Sequence, residues 1–450
     1  MNREDFENLF QLKTAVPQNW NISQIKSIVS TKITDGPHET PELEEAGVPF
    51  ISAEAIKNDK IDFNLRRGFI SEELHKQYSK KCKPQRNDIF IIKAGATTGN
   101  VAYVDVDFEF NIWSPLALVR CKEYLVYYKF LYYQLLSDIF RKQVELSWSF
   151  GTQENIGMRV IERLKAIIPN LPEQRRIASY LDKTCAAIDT AIEKKQKQLE
   201  TLDALRKSII HKAVTRGLGR PTALKDSGHE WLGPSPAKWK LIAIKRIVST
   251  KITDGPHETP EFAEEGAQFI SAEAIKNNKI DFDLRRGLIS WELHEQYCRK
   301  CKPQRRDIFV VKSGATTGNV AYVDVDFEFS IWSPLALIRC DERIAFYKFI
   351  YYVLLTDVFR KQVELSWSFG TQQNIGMRVI ERIKVPIPSL AEQREIAAFL
   401  DNETSNISAI RTNIESQIAT LAVYRKSLIH ECVTGKRRIT EDDMKRVQQY

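Results

Sequence analysis

The chain of 450 residues contains one long sequence twice. The segment KITDGPHETPE at Lys32–Glu42 recurs at Lys251–Glu261, 219 positions later. The segment GATTGNVAYVDVDFEF at Gly95–Phe110 recurs unchanged at Gly314–Phe329 with the same offset. This period is far longer than the ~20–50 residues of a solenoid repeat. Each copy is therefore large enough to be a domain with its own core.

The composition is that of a globular protein with a moderate basic excess. Apolar residues make up 43% and charged residues 28%, so the chain has enough material for packed cores. The net charge of +8 and the pI of about 8.9 raise the expectation of a polyanionic partner without deciding it. No run approaches the ~18–20 apolar residues of a membrane span, and the N-terminus lacks the apolar segment of a secretory signal. We therefore expect a cytoplasmic protein with no membrane partner.

The seven cysteines are too few for a disulfide scaffold and fit a reducing compartment. Cys298 and Cys301 form the only close pair, and they resemble half of a zinc site. No second pair lies nearby in the sequence to complete four ligands. We expect reduced thiols and no metal site.

Each copy divides into a globular part and a helical part. Short β-branched and aromatic runs bounded by turn residues predict strands near Phe50–Ser52, Asp88–Lys93 and Asn100–Asp105. Apolar residues at 3–4 spacing predict one helix over Val126–Glu145. The expected fold class is therefore α/β, a mixed α+β globule present twice in tandem.

A long helix is predicted to follow each globule. Neither Gly nor Pro interrupts Glu173–Thr215 or Glu392–Thr434, which is about six heptads or ~60 Å of helix. Asn170 can cap the first helix, and Ser389 with Glu392 forms a capping-box pattern at the second. The apolar stripe comprises Ile177, Leu181, Ile188, Ile192, Leu199, Leu202 and Ile209 in the first helix, and Ile396, Leu400, Ile407, Ile414, Ile418, Leu421 and Leu428 in the second.

The stripe allows two arrangements. Each helix could lie on its own domain, or the two helices could pair with each other as a coiled coil. The matching length and period favour pairing, although Lys195 and Arg206 make the seam imperfect. The turn-rich connector Arg216–Lys238 is long enough for the second copy to fold back. We therefore expect an antiparallel coiled coil with pseudo-twofold symmetry.

These patterns predict seven segments. They are an N-terminal segment at 1–15, a first globular domain at 16–169, a first long helix at 170–215, a connector at 216–238, a second globular domain at 239–388, a second long helix at 389–434 and a C-terminal tail at 435–450.

The sequence lacks several common catalytic and nucleotide-binding motifs. Phosphate-binding GxxxxGK[ST] and dinucleotide-binding GxGxxG loops are absent, as are HExxH and GxSxG. The Asn-Pro-Pro-aromatic motif, with which amino-methyltransferases hold a flipped base, is also absent. Glu193-Lys-Lys195 could belong to a nuclease, but it falls on a helix face where charged residues are ordinary. We expect no catalytic residue.

Three segments in each copy are candidate DNA contacts. Lys32–His38 combines Lys, Thr and His side chains with a turn, Lys93–Asn100 is a glycine-rich loop, and Ser147–Gln153 mixes aromatic and hydrogen-bonding groups. Each segment could instead be a purely structural turn or helix end. The candidate residues are Lys32, Thr34, His38, Lys93, Thr97, Thr98, Asn100, Ser147, Trp148, Ser149, Thr152 and Gln153, with Lys251, Thr253, His257, Lys312, Thr316, Thr317, Asn319, Ser366, Trp367, Ser368, Thr371 and Gln372 in the second copy.

The order of these motifs resembles that of the DNA specificity subunits of Type I restriction–modification systems. Each copy has an ITDG-x-H-x-TP opening, a Lys-x-Gly-x-x-x-Gly loop, a Gly-Thr-Gln segment and a Glu-Gln-Arg helix start. The resemblance covers nearly the whole chain. It implies two target recognition domains that each read half of a bipartite double-stranded DNA site.

The resemblance also implies the partners. The helices would act as a spacer and dock two adenine methyltransferase subunits, and restriction subunits would complete the complex. The chain itself would be non-catalytic and bind no cofactor, whereas S-adenosylmethionine, ATP and Mg²⁺ would belong to the partner subunits. Recognition domains of this family commonly differ, but here they are nearly the same, so the expected site is an interrupted palindrome.

Two other classes of protein stay open at this point. One is a solitary restriction or modification enzyme, although the missing motifs count against it. The other is a coiled-coil scaffold that binds only proteins, which would lack salt-dependent binding to DNA of mixed sequence.

Overall fold

The computed structural model describes residues 16–147, 155–219, 223–366 and 374–447. Contacts divide the chain into two compact units, Met1–Lys195 with Glu415–Tyr450, and Gln196–Ile414. Each unit therefore combines one globular domain with the start of the long helix that follows it and the end of the other long helix. The seven finer segment boundaries stay predictions.

The first globular domain is a mixed α/β fold, as expected. Its strands are β1 Asn21–Gln24, β2 Thr34–Asp35, β3 Val48–Ile51, β4 Ile56–Lys57, β5 Lys60–Ile61, β6 Gly68–Ile70, β7 Ile89–Ile92, β8 Val101–Tyr103, β9 Asn111–Ile112, β10 Leu116–Val119 and β11 Lys165–Ile168. Its helices are α1 Ile25–Ile28, α2 Glu72–Ser79, α3 Tyr128–Leu135, α4 Asp138–Ser147 and α5 Met158–Arg163, with 3-10 turns at Ala53–Ala55 and Phe63–Leu65. The first long helix is α6 Leu171–Arg216.

A four-stranded antiparallel sheet with the order β2-β10-β7-β8 is the centre of this domain. Strand β7 is buried along its whole length because both faces of the sheet are covered. Ile89 and Ile91 belong to the core that contains Phe130, whereas Phe90 and Ile92 belong to a core on the other face. A three-stranded sheet β6-β3-β9, the hairpin β4-β5 and the antiparallel pair β1-β11 complete the domain.

The second unit has the same architecture. Its strands are β12 Leu224–Lys225, β13 Ser235–Pro236, β14 Lys240–Ala243, β15 Thr253–Asp254, β16 Ala267–Ile270, β17 Ile275–Lys276, β18 Lys279–Ile280, β19 Gly287–Ile289, β20 Ile308–Val311, β21 Val320–Tyr322, β22 Phe329–Ile331, β23 Leu335–Ile338 and β24 Lys384–Ile387. Its helices are α7 Trp291–Cys298, α8 Tyr347–Leu354, α9 Asp357–Glu364, α10 Met377–Arg382 and the second long helix α11 Leu390–Thr434, with 3-10 turns at Ile244–Arg246, Ala272–Ala274 and Phe282–Leu284. The order β15-β23-β20-β21 repeats that of the first sheet, and β12 and β13 form a hairpin in the connector. Helix α12 Glu441–Val447 lies in the tail.

The prediction of one continuous helix over Val126–Glu145 is wrong. The structure has two helices, α3 and α4, with Leu136 and Ser137 between them. The Ser137 hydroxyl donates to the Gln134 carbonyl at 2.6 Å, and its own carbonyl accepts from Phe140 N–H at 3.1 Å. In the second unit, Thr356 occupies this position and its hydroxyl oxygen accepts from Val358 N–H at 3.3 Å. A hydroxyl residue between the two helices, which caps the following helix in the second unit, therefore interrupts the apolar pattern.

Both long helices begin where the capping residues predict. Asn170 Oδ1 accepts from Glu173 N–H at 2.9 Å, and Ser389 Oγ accepts from Glu392 N–H at 3.3 Å. The Glu173 carboxylate accepts the Trp20 indole N–H at 3.1 Å, and Glu392 accepts that of Trp239 at 3.2 Å. These glutamates therefore tie each helix start to the globular domain before it.

The long helices pair in the antiparallel sense, as predicted. In the first unit, Arg425 Nε lies 2.9 Å from Asp189 Oδ1. In the second unit, Arg411 Nη1 lies 2.5 Å from Asp203 Oδ1. Residue numbers thus rise along one helix as they fall along the other. Lys195, which interrupts the predicted stripe, donates to Gln417 on the paired helix.

Both arrangements considered for the stripe occur. In the first unit, Ile177, Leu181 and Ile188 share one core with the globular domain and with Leu428 of the other long helix. In the second unit, Ile396 and Leu400 pack into the core of their own domain, and Ile209 packs against that core. Ile407 is also buried. The remaining seam residues are half-buried, namely Ile192, Leu199, Leu202, Ile414, Ile418 and Leu421. Among the described residues, no helix combines the length and apolar character that crossing a bilayer requires.

Candidate nucleic-acid interface

The structure brings parts of the first two candidate segments of the first domain, and residues just after the third, to one edge of the four-stranded sheet. Lys93 Nζ lies 2.5 Å from Asp35 Oδ2, which joins the second segment to the first. Ser114 N–H donates to the Pro37 carbonyl at 3.1 Å, and Lys93 N–H donates to Pro115 at 2.7 Å. Ala94 forms an antiparallel bridge with Asn155, just beyond the third segment. We call this edge, formed by 34–38, 93–100, 113–115 and 155–157, the loop edge.

The second unit has an equivalent loop edge. Lys312 Nζ lies 2.5 Å from Asp254 Oδ2, and Ser333 N–H donates to the Pro256 carbonyl at 3.0 Å. Ser313 forms an antiparallel bridge with Asn374. The molecule therefore presents the same arrangement of loops twice.

Asp35 is the electrostatic centre of the first loop edge. Its carboxylate contacts Lys93 at 2.5 Å, Lys81 at 2.7 Å and His38 Nε2 at 3.2 Å. Burial by itself raises the pKa of Asp35, but the hydrogen bonds from Lys81 and Lys93 outweigh it and hold the pKa below its ordinary value. The charged carboxylate thus fixes the turn that carries His38.

Gly36 allows this turn to approach the neighbouring strand. A Cβ atom at position 36 would lie 1.8 Å from the Ile112 carbonyl oxygen, so only glycine fits there. Gly255 meets the Ile331 carbonyl oxygen in the same way, at 1.9 Å. The Asp-Gly pair of each ITDG motif therefore has a structural role next to the exposed His38 or His257.

The first candidate segment contributes both exposed and half-buried side chains. Lys32 and Lys251 are exposed, whereas Thr34 and Thr253 are half-buried. His38 is 72% exposed and His257 is 73% exposed. These side chains are accessible to a ligand.

Lys93 and Lys312 are placed differently, because each is only 8% exposed. Their ammonium groups are held by Asp35 and Asp254 inside the domains. This burial does not support their prediction as DNA contacts. Their position is that of residues that hold the loop edge together.

The glycine-rich loop leaves Thr97 exposed, whereas Thr98 and Asn100 are half-buried, as are Thr316, Thr317 and Asn319 in the other unit. Gly95 and Gly99 have φ values of 105° and 91°, a region that strains other residues. The Thr98 hydroxyl donates to the Gly95 carbonyl at 2.6 Å, which closes the loop on itself. In the first unit this loop borders a cavity of about 370 Å³ that Arg141 and Arg425 also line.

Only one residue of each third segment lies in the described part of the chain. Ser147 Oγ donates to the Val144 carbonyl at 2.6 Å, and Ser366 Oγ donates to Val363 at 2.6 Å. Both hydroxyls thus bond to the helix before them. The other candidates lie outside the described residues, namely Trp148, Ser149, Thr152, Gln153, Trp367, Ser368, Thr371 and Gln372.

Sequence reasoning missed an arginine and a tryptophan beside the first segment. The Arg67 guanidinium lies 4.0 Å from the centroid of the Trp113 ring, and Trp113 Nε1 donates to the Glu39 carbonyl at 3.1 Å. In the second unit, Arg286 lies 4.4 Å from the Trp332 ring. The signal that could have found them is the Arg-Arg doublet, which is repeated unchanged at Arg66 and Arg285.

Most substitutions between the copies fall outside the loop edges. Trp291, which replaces Glu72, is 55% exposed at the start of α7 and contacts His294 edge-on at 5.6 Å. His294 bonds to Ser330 Oγ at 2.8 Å, whereas the equivalent His75 bonds to Asn111 Oδ1 at 2.5 Å. One substitution does fall on a loop edge, where Ser313 replaces Ala94.

All seven cysteines are free thiols, including Cys298 and Cys301. Within the described ranges, no group of three or more His, Cys, Asp or Glu side chains is arranged to hold a metal ion.

Two equivalent α/β domains, each with a matching polar loop edge and each followed by a long helix that pairs with its counterpart, define a class of tandem-domain protein. The family described as Type I restriction modification DNA specificity domain matches residues 17–201 and 236–420. These ranges cover most of the chain, so the chain belongs to this family.

Relatives of similar length carry the same family name. The chain is 24% identical to the Type I restriction enzyme MjaVIII specificity subunit of Methanocaldococcus jannaschii, over 97% of this chain and 96% of that protein. It is 22% identical to the EcoBI specificity subunit of Escherichia coli, over 74% of this chain and 72% of that protein.

Solved structures share the fold. A chain from work on complex assembly and conformational transition of the type I R-M system aligns with a TM-score of 0.72 at 16% identity, covering 94% of this chain and 99% of that chain. The HsdS subunit from Thermoanaerobacter tengcongensis aligns with a TM-score of 0.51 at 15% identity, covering 94% of this chain and 98% of that chain.

Proposed function

We propose that this chain is the DNA specificity subunit of a Type I restriction–modification complex, and that each globular domain reads one half of a bipartite DNA site. The observation that carries this proposal is the loop edge, which occurs twice with the same internal contacts and with one substitution, Ser313 for Ala94. Membership of the specificity-domain family supports it.

The chemistry of the loop edge suits double-stranded DNA. The exposed His38 and Thr97 can donate hydrogen bonds to phosphate oxygens or base edges. The Arg67 guanidinium stacks on Trp113, which bonds to Glu39 next to His38, and it also lies 3.5 Å from the Glu54 carboxylate. In this proposal the buried Lys93 positions the loops and makes no contact with DNA.

The chain supplies recognition and no chemistry of its own. Two adenine methyltransferase subunits dock on the paired helices α6 and α11 and bring S-adenosylmethionine, while restriction subunits bring ATP and Mg²⁺. A coiled-coil scaffold that binds only proteins is less well supported, because it gives no reason for two nearly identical polar loop edges. A solitary enzyme is less well supported because the sequence lacks nuclease and methyltransferase motifs.

Binding of the full-length chain to DNA of mixed sequence tests this function. We expect binding that weakens steeply as salt increases, since a protein that contacts phosphates releases counterions from DNA. The double variant His38→Ala, His257→Ala should bind more weakly. The matched control is His229→Ala, which alters a histidine in the connector. Binding that is independent of salt, or absent, would contradict the proposal.

A further inference from the structure

A second polar feature of each unit lies beside the loop edge. It is a cleft of about 780 Å³ in the first unit and about 760 Å³ in the second. In the first unit, Lys32 and Thr34 line one side and Arg159 of helix α5 lines another. We call it the basic cleft, because five basic and only two acidic side chains line it in each unit.

Three of the five basic side chains in the first unit form ion pairs within the domain. Lys81 Nζ lies 2.7 Å from Asp35. Arg120 donates to both carboxylate oxygens of Asp88 at 2.7 Å. Lys83 is paired with Glu109. These contacts fix the wall of the cleft and neutralise most of its charge.

The other two basic side chains form no ion pair within the described part of the domain. Lys32 and Arg159 are both exposed, and neither makes a hydrogen bond or an ion pair with any other described residue. Glu162 follows Arg159 by one helical turn and lines the cleft, but it is not ion-paired with Arg159 in the described structure. The cleft therefore presents two free cations to solvent, which favours an anionic ligand.

The second unit repeats this arrangement. Lys251 and Arg378 are exposed, line the equivalent cleft and have no partner among the residues that the structure describes. Lys300, Lys302 and Arg339 are paired as their counterparts are. The five basic residues are therefore identical in the two clefts.

Asp35 connects the basic cleft to the loop edge. One oxygen of its carboxylate holds Lys81 in the cleft wall, and the other holds Lys93 in the loop edge. A duplex whose bases lie at the loop edge would therefore pass close to the cleft. Lys and Arg contacts to phosphates position a protein on DNA without reading its sequence.

We propose that the basic cleft of each unit binds a backbone phosphate group of the DNA duplex, with Lys32 and Arg159 as the contacting cations in the first unit and Lys251 and Arg378 in the second. This inference rests on the proposed DNA-binding function. In each domain, the basic cleft would contribute affinity for DNA and the loop edge would contribute selectivity for its sequence.

The test is the salt dependence of DNA binding by the full-length chain. The variant carries Lys32→Gln, Arg159→Gln, Lys251→Gln and Arg378→Gln. The control carries Arg163→Gln and Arg382→Gln, which remove exposed charges from the same helices α5 and α10 outside the cleft. Each lost phosphate contact reduces the slope of log K against log salt by about 0.9. We expect a reduction of about 2–4 in the variant and little change in the control.

Two further measurements separate the possible outcomes. Specific and mixed-sequence DNA should lose affinity equally, and the methylated motif of the assembled complex should stay the same. A slope equal to that of the control, with specific binding retained, would overturn the cleft proposal and leave the DNA-binding function standing. Absence of DNA binding by the unaltered chain would overturn both.

Inorganic phosphate, added at constant ionic strength and followed by calorimetry, distinguishes a site for free phosphate. Saturable binding of phosphate that the four substitutions abolish, together with an unchanged DNA slope, would assign the cleft to a free anion and overturn its role on DNA.

Discussion

Asp35 shows how a single residue can organise a loop edge. Its carboxylate is buried and accepts hydrogen bonds from Lys81 and Lys93 on two different segments. The sequence marks this aspartate only as part of a turn, because its partners lie 46 and 58 positions away. The role of Lys93 was missed for the same reason. From the sequence alone, Lys93 beside the glycine-rich loop is interpreted as a surface cation. Its contact with Asp35 shows that it is buried.

Removing this carboxylate should destabilise the domains. The variant Asp35→Asn, Asp254→Asn leaves Lys93 and Lys312 buried without a charged partner. Breaking a buried ion pair in this way costs about 3–5 kcal/mol. We expect a loss of this order in the free energy of unfolding in urea. The control Asp105→Asn, Asp324→Asn alters exposed carboxylates and should change stability by less than about 0.5 kcal/mol.

A second variant keeps this prediction testable if the first one folds poorly. Adding Lys93→Met and Lys312→Met removes the stranded ammonium groups and should restore part of the lost stability. If the aspartate variant unfolds at the same urea concentration as the control, the ion pairs do not hold the loop edges.

The same aspartates predict an acid limit for the fold. Burial raises the pKa of Asp35, but the hydrogen bonds from Lys81 and Lys93 lower it by more than burial raises it. The pKa in the folded state therefore lies below that in the unfolded chain. The stabilisation is therefore complete above the unfolded value of about 3.9 and is lost as pH falls through the lower folded value. Unfolding measured between pH 6 and pH 2 should show this loss. The Asp35→Asn, Asp254→Asn variant should show a smaller acid dependence.

At the level of elements, the sequence predicted those features that depend on residues close together in the chain. The strand around Ile89–Ile92 and the starts of both long helices follow from nearby residues, and the structure confirms them. The break at Ser137 was missed because an apolar period does not reveal which hydroxyl side chain will bond to the backbone at the end of a helix. The meeting of the first two segments with residues 155–157 at the loop edge was also missed, since it depends on the pairing of β2, β10 and β7.

The paired helices predict a dependence of DNA spacing on helix length. Seven residues inserted after Lys195 in α6 and after Ile414 in α11 would add ~10 Å to each helix while keeping the seam in phase. That length corresponds to about three base pairs at ~3.4 Å per step. Sequencing of methylated DNA from the assembled complex should show a longer gap between unchanged half-sites.

The control for this prediction is an insertion of seven residues in α6 alone. It prevents the ion pairs Asp203–Arg411 and Asp189–Arg425 from forming at the same time and should destabilise the helix pair. An unchanged gap in the complex with both insertions would show that the helices do not set the distance between half-sites.

At the scale of the whole molecule, recognition and chemistry are expected to be in separate chains. The purified chain with DNA, S-adenosylmethionine, ATP and Mg²⁺ should neither methylate nor cleave DNA. Adding adenine methyltransferase partners should produce methylation, measured by transfer of a labelled methyl group. Methyl transfer by the chain alone, in a preparation free of contaminating methyltransferase, would show that it carries its own catalytic site.

The duplication predicts the form of the DNA site. The two loop edges and the two basic clefts carry the same candidate contact residues, from Lys32 and His38 to Lys251 and His257. A wrong base pair typically costs ~1–3 kcal/mol, so two nearly identical readers should prefer the same bases. An antiparallel pair of equivalent helices has an approximate twofold axis, and a DNA site mirrors the symmetry of the protein that reads it.

The expected target is therefore an interrupted palindrome, with the same short half-site on each strand and one adenine methylated in each. Single-molecule sequencing of methylated DNA from the host, with and without this gene, measures the motif directly. Restoring identity at two of the substituted positions, with Trp291→Glu and Ser313→Ala, should leave a palindromic motif unchanged. Two unrelated half-sites would show that substitutions such as these, and not the shared loops, carry the base readout. If these two substitutions carry the difference, the double variant should also move the second half-site toward the first.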